Sequence, residues 1–200
     1  MAAPPQEESA LVARSQAGDL SAFNELVEAY QGQVYNLCLR MLRSVQAAED
    51  ATQEAFLAAY RHIRSFRGGA FRAWLLRIAA NACADELRRR RRRPQISLEQ
   101  ASEDQERPLD VPDSGETPED FALRRELNRT LQAGLTTLPP DQRLAVVLCD
   151  VHGLSYDEIA GSTRVSVGTV KSRISRGRER MRRYLAAHRE LLPETIRHMK

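Results

Sequence analysis

Residues 154–183 hold the clearest chemistry in this chain. Ser155 and Glu158 fit the S-x-x-E capping box, so a helix starts there and carries Ile159 and Ala160 inward. It runs out by Gly161 to Thr163, and Ser166 offers a second N-cap a short turn later. From there Val167, Val170, Ile174, Met181 and Leu185 recur at helical spacing. Lys171, Ser172, Ser175 and Arg176 are left on the opposite face. A short helix, a tight turn and a longer basic helix form a helix-turn-helix, whose second helix suits a DNA major groove.

A second constellation runs from Arg64 through Ser65, Phe66, Arg67, Gly68, Gly69, Ala70, Phe71 and Arg72 to Trp74, followed by Arg77 and Asn81. A glycine pair between basic-aromatic stretches makes a mobile loop, and rings beside arginines suit stacking on unpaired bases. Phe71 and Trp74 fall at core spacing, so Phe66 is the better stacking candidate. Arg77, Asn81 and Arg88 form a basic-polar stripe that leads into six consecutive arginines, 88–93, suited to phosphates. A third feature is the face bearing Glu49, Asp50, Gln53 and Glu54, two i, i+4 pairs beside an apolar stripe. Like charges at that spacing cost a few tenths of a kcal/mol, which points to a basic partner or to a solvated face.

Other chemistries find little support. Cys38, Cys83 and Cys149 are scattered, a poor disulfide framework, and Cys149 and His152 lack a second ligand pair for a metal. No catalytic nucleophile with supporting arginines and no carboxylate metal cluster can be assembled, so a recombinase, nuclease or other enzyme is not expected. No cofactor is expected either. The chain contains no apolar run of the ~20 residues a membrane span needs and no signal-peptide pattern, so membrane insertion is not expected and a cytoplasmic location is.

The elements that must hold these groups read as helices throughout, without alternating β-branched runs. Asp19 caps a helix that buries Phe23, Leu26, Val27, Tyr30, Val34, Leu37 and Met41. A second, from about Ala47 to Ile63, packs through Ala55, Phe56, Ala59, Tyr60 and Ile63. A third starts near Ala70 and uses Phe71, Trp74, Leu75, Ile78 and Ala82, ending before Pro94. Further on, Leu123, Leu127, Leu131, Leu135 and Leu138 mark one helix, and Pro139-Pro140 opens another that stops at Gly153.

Charge divides the chain. Residues 1–94 carry a balance of +4, residues 95–120 of −8 and residues 121–200 of +7. The expected architecture is all-α, with a disordered tail over 1–9, a helical domain over 10–94, a flexible acidic linker over 95–118 and a second helical domain over 119–200. About 24 linker residues reach up to ~80 Å, enough to separate two contact points by several turns of DNA.

In order along the chain, these motifs resemble those of the extracytoplasmic-function sigma factors, the promoter-specificity subunits of bacterial RNA polymerase. The resemblance covers about residues 10–188. It implies that the first domain is sigma region 2 and the second sigma region 4. It implies a core-polymerase contact at Glu49, Asp50, Gln53, Glu54 and Phe56. It implies that Phe66, Arg67, Phe71, Arg77, Asn81 and Arg88 take a single-stranded −10 element, with a base held in the Arg67–Phe71 loop. Thr169, Lys171, Ser172, Arg173, Ser175 and Arg176 would approach a duplex −35 element. The linker would thread toward the RNA exit path, a stress or envelope regulon would be served, and an anti-sigma factor would sequester the protein. Two departures are visible: the Gly68-Gly69 loop is short and lacks the family's frequent acid, and Ser175 stands where some relatives carry an aromatic. The rival reading is a helix-turn-helix regulator that is not a sigma subunit. It gives no role to the 49–56 face or the 64–93 block.

Overall fold

The computed structural model describes residues 5–92 and 117–188, and those residues form helices and short connections with no strand. The first half contains α1 (Pro5–Gln16), α2 (Leu20–Leu42), α3 (Val45–His62), a 3-10 turn over Ile63–Ser65 and α4 (Phe71–Arg92). Asp19 caps α2 by accepting from the Ala22 amide at 3.1 Å. Arg43 ends α2 in the left-handed region at φ 63°, and Ser44 at once caps α3. This sharp reversal packs α3 against α2. Ala48, Ala51, Ala55 and Ala59 line the contact, and their small side chains let α2 and α4 approach closely. Leu26, Leu37, Phe71, Leu75 and Leu76 fill the centre, each stabilising by roughly 1.5–3 kcal/mol through burial.

One expectation is corrected here. Residues 5–9, read as part of a disordered tail, are the first turns of α1. Tertiary contacts hold this helix: Val12 is buried in the core, and the Tyr30 hydroxyl donates to the Glu8 carboxylate. Burial and that carboxylate both push the Tyr30 hydroxyl pKa upward.

The second half contains α5 (Pro118–Thr136), α6 (Pro140–Val146), α7 (Tyr156–Thr163) and α8 (Val167–Ala187). Thr117 caps α5, which therefore begins at a position expected to close the linker. The rest of the expected linker lies outside the described residues. Helix α6 continues into a π-helical turn over Val147–Val151 and stops at Gly153, whose φ is +66°. Gly177 lets α8 lie directly on α6, since a Cβ there would come within 2.5 Å of Val146 Cγ2.

The two halves touch. Gln132 Nε2 donates to the Arg40 carbonyl at 3.1 Å, and Arg143 Nη1 donates to the Met41 carbonyl at 2.9 Å. Both carbonyls belong to the last turn of α2, where a helix lacks internal donors. Arg143 is only 8% exposed and also donates to the carbonyls of Leu135, Thr136 and Leu138. On the other side of the contact, Arg72 at the start of α4 donates to the His152 carbonyl, and α7 lies against α4. No described helix is long and apolar enough to cross a membrane.

Candidate functional site

Three surfaces carry the candidate residues, and a different element builds each. On α3 the alanine stripe faces the core, so Glu49, Asp50, Gln53 and Glu54 turn outward together and are exposed. Asp50 accepts from Gln46 Nε2 at 3.2 Å, and Glu54 lies 3.9 Å from Arg61. Phe56 departs from this face: at 9% exposure it belongs to the core with Ala55 and Ala59. Leu57 and Tyr60 extend the outward face instead, at 44% and 43% exposure. Its spacing predicts Tyr60 as a packing residue. Its ring meets Phe23 edge-on at 5.0 Å, so the same side chain packs with one edge and remains open on the other.

The second surface is the loop between the 3-10 turn and α4. Phe66, Phe71 and Trp74 form one ring cluster with centroids 5.3–5.7 Å apart. Phe71 is 2% exposed and offers no free face, so within this loop it is an anchor. Phe66 is half-buried and Arg67 is exposed, and Gly68 and Gly69 follow with φ near +90°. Arg77 is half-buried on α4, while Asn81 and Arg88 are exposed farther along it. The arginine run carries less free charge than its sequence suggests. Asp85 pairs with Arg88, and Glu86 pairs with Arg89 at 3.0 Å and Arg90 at 2.7 Å. Arg93 lies outside the described residues.

The third surface is the helix-turn-helix. The capping box at α7 is complete, with Ser155 Oγ accepting from the Glu158 amide at 3.2 Å and the Ser155 amide donating to Glu158 Oε2 at 2.8 Å. Helix α7 runs through Gly161, and the turn falls on Arg164, which adopts φ 55°. Ser166 then caps α8 by accepting from the Thr169 amide at 3.2 Å. Val170 and Ile174 are buried, which leaves Lys171, Ser175 and Arg176 exposed. The other candidates are already engaged. The hydroxyls of Thr169 and Ser166 lie 2.9 Å apart, and Ser172 Oγ donates to the Thr169 carbonyl. Arg173 turns back to Asp141 at 3.1 Å.

Packing between the halves brings the second and third surfaces together. A cleft of about 390 Å³ separates α4 from α6, α7 and α8, with Asn81, Ala84, Arg88, Leu144, Ser162 and Arg173 among its walls. A smaller one beside the loop brings Phe66, Arg67, Trp74 and Arg77 to Glu158 and Ser162 of α7. His152, inside the contact, is pushed down to about pKa 4 by burial first, then by Arg72 and Arg40. Cys149 and His152 do not converge as a ligand pair: Cys149 Sγ sits 3.6 Å from Arg178 Nη2, while the His152 ring is buried. Among the described residues no group of His, Cys, Asp and Glu is placed to hold a metal ion.

Known proteins resemble this chain along most of its length. The family described as Sigma-70 region 2 matches residues 26–93, and Sigma-70, region 4 matches residues 128–181. The ECF RNA polymerase sigma factor SigE of Mycolicibacterium smegmatis is 41% identical over 188 residues, covering 92% of this chain and 71% of that protein. The RNA polymerase sigma-H factor of Pseudomonas aeruginosa is 41% identical, over 87% and 91% of the two chains. The ECF RNA polymerase sigma-E factor of Escherichia coli K12 is 42% identical, over 84% and 89%. Among solved structures, CnrH in complex with the cytosolic domain of CnrY aligns with TM-score 0.67 at 26% identity, over 91% and 99% of the two chains. RpoE bound to the anti-sigma factor NepR from Bartonella quintana shares the fold at TM-score 0.65 and 24% identity, over 84% and 99%.

Proposed function

The chain belongs to the extracytoplasmic-function sigma factors of bacterial RNA polymerase, and from that premise we propose how its three surfaces divide the work of initiation. It is an initiation factor, so bond-making falls to the polymerase, in the cytoplasm where that enzyme works. The outward face of α3, with Glu49, Asp50, Gln53 and Glu54, binds the core enzyme, joined by Leu57 and Tyr60 and held in place by buried Phe56. Phe66, Arg67, Arg77, Asn81 and Arg88 take the single-stranded −10 element, and Phe71 fixes the loop from beneath. Lys171, Ser175 and Arg176 enter the major groove at the −35 element. Thr169 and Ser172 shape the first turn of that helix, and Arg173 is released from Asp141 when DNA arrives.

One observation carries this reading: α3, the loop before α4, and α8 each keep an outward polar face after the core has taken every apolar position it needs. A regulator working without polymerase leaves the α3 face unused. Melting follows from binding energy. Extruding a base costs a few kcal/mol, and a stacked base returns ~1–3 kcal/mol at Phe66.

Sites at −10 and −35 are separated by roughly 80 Å of duplex, whereas the halves here are in hydrogen-bonded contact. The described conformer is therefore closed, and the halves part before both elements are read. Segment 95–118 is the tether we assign to that separation. We also infer an anti-sigma partner, because two solved relatives are held in complexes, one of them with an anti-sigma factor. Permanganate footprinting tests the melting role. Unpaired thymines near −10 are expected only with core enzyme and this protein together. Melting by core alone, or none with both, overturns it.

A further inference from the structure

We propose that Gln16, in the last turn of α1, is the positioning residue of the base-capturing loop, and that α1 forms one wall of the cavity into which the extruded −10 base goes. This rests on the −10 role given to the loop above.

The loop from Phe66 to Ala70 has few means of holding its shape. Gly68 and Gly69 have φ values of +92° and +91°, and a Cβ at either would meet nothing within 4 Å. The glycines are present for backbone conformation, and the loop takes its shape from where it starts. There the Phe66 ring is seated by contacts to Phe71 and Trp74. The backbone at the same point is held by the side-chain amide of Gln16, which donates one hydrogen to the Ile63 carbonyl at 3.0 Å and the other to the Phe66 carbonyl at 2.8 Å. These carbonyls bracket the 3-10 turn, and the Phe66 amide also donates to Ile63. A single NH2 group thus clamps the loop's starting point from an element 47 to 50 residues away.

The same helix faces a cavity of about 280 Å³ whose walls include Glu8, Val12, Gln16, Phe66, Gly68 and Gly69. An aromatic ring, a carboxylate, an amide and loop backbone around one cavity are the groups that recognise a nucleobase by face and edge. Glu8 is held by the Tyr30 hydroxyl, so this wall is fixed before a base enters. The other face of the loop is approached by Glu158 and Ser162 of α7, while none of the described residues of the second half lines the cavity on the α1 side. The base can therefore be read here whether or not the halves have fully parted.

The test is transcription by core polymerase with the full chain, on promoters varied one base at a time across the −10 element. It compares wild type with Gln16→Ala, Gln16→Met and Phe66→Ala. Both Gln16 variants are expected to lose about tenfold in discrimination at a single −10 position, equal to ~1.4 kcal/mol, within the reach of two hydrogen bonds. Core affinity and −35 preference are expected to stay at wild-type levels in both. Met fills the volume of Gln without donating, so wild-type discrimination in Gln16→Met would mean that the residue only packs, and would overturn the proposal. Phe66→Ala is expected to flatten the same position. If it does and both Gln16 variants remain selective, the inference fails alone; if Phe66→Ala changes no position, the −10 role of the loop fails with it.

Discussion

Arg72 gives the cleanest hold on the contact between the halves. Its guanidinium donates across the contact to the His152 carbonyl, and within its own half to Gln33 Oε1 at 2.6 Å. Replacing it by Met keeps an apolar stem in place and removes both bonds. A hydrogen bond from a charged donor contributes about 1.5–3 kcal/mol, so loss of the cross-contact bond lowers the closed-to-open ratio by about 10- to 150-fold. Gln132 and Arg143 still hold the last turn of α2, so the population shifts without the contact vanishing. The variant Gln33→Met removes only the bond within the half and serves as control. Small-angle scattering reads the shift as a larger radius of gyration for Arg72→Met than for wild type or Gln33→Met. Affinity for a single-stranded −10 oligonucleotide should rise in parallel, because α7 leaves the α4 surface. An unchanged radius together with unchanged oligonucleotide affinity would refute the idea that this contact restrains the protein.

Three further outcomes are expected. Asp50→Arg and Glu54→Arg should each weaken core-polymerase binding at least tenfold, about 1.4 kcal/mol, in a competition assay, while the melting temperature holds; unchanged affinity would remove α3 from the interface. The pKa of His152 is lowered in the fold from 6.5 to about 4, so between those values the unfolded chain takes a proton that the folded one refuses. Its contribution to stability is full above pH 6.5 and is lost as pH falls toward 4, by up to ~3 kcal/mol. Wild type should therefore lose more stability on acidification than His152→Gln, and parallel melting curves against pH would contradict this. Gly177→Ala should cost ~1–3 kcal/mol in a denaturation series, because the new Cβ would lie 2.5 Å from Val146 Cγ2 and 3.3 Å from Leu138 Cδ2. A neutral result would show that α6 and α8 part easily.

Local signals were readable where one helix decides its own ends. Asp19, Ser155 with Glu158, Ser166 and Gly153 all cap or stop helices as their types imply, because capping uses neighbours three residues away. Helix α1 escaped because its support is tertiary: Val12 and Glu8 find their partners on α2 and in the core behind it. The helix ends within the expected stretch Gly161 to Thr163, but the left-handed turn at Arg164 escaped because it falls on a non-glycine residue. Side-chain direction was the least accessible property. Phe56 and Phe71 lie in candidate motifs and point inward as their core spacing implies, whereas Arg173 reaches back to Asp141, an ion pair spanning 32 positions that no spacing rule anticipates. The clamp of Gln16 on Ile63 and Phe66 is of the same kind, since it links one helix end to a loop that folds past it.

The function assigned to this chain is promoter specificity, supplied to RNA polymerase through two separated DNA contacts. Transcription in vitro over a genomic promoter library, with bacterial core polymerase and this protein as the sole specificity factor, tests it most directly. Discrete start sites that share two upstream elements are expected, with Lys171→Ala and Arg176→Ala weakening dependence on the distal one and Phe66→Ala on the proximal one. Sequence-specific duplex binding by the free protein, with no transcript from any promoter, would contradict it.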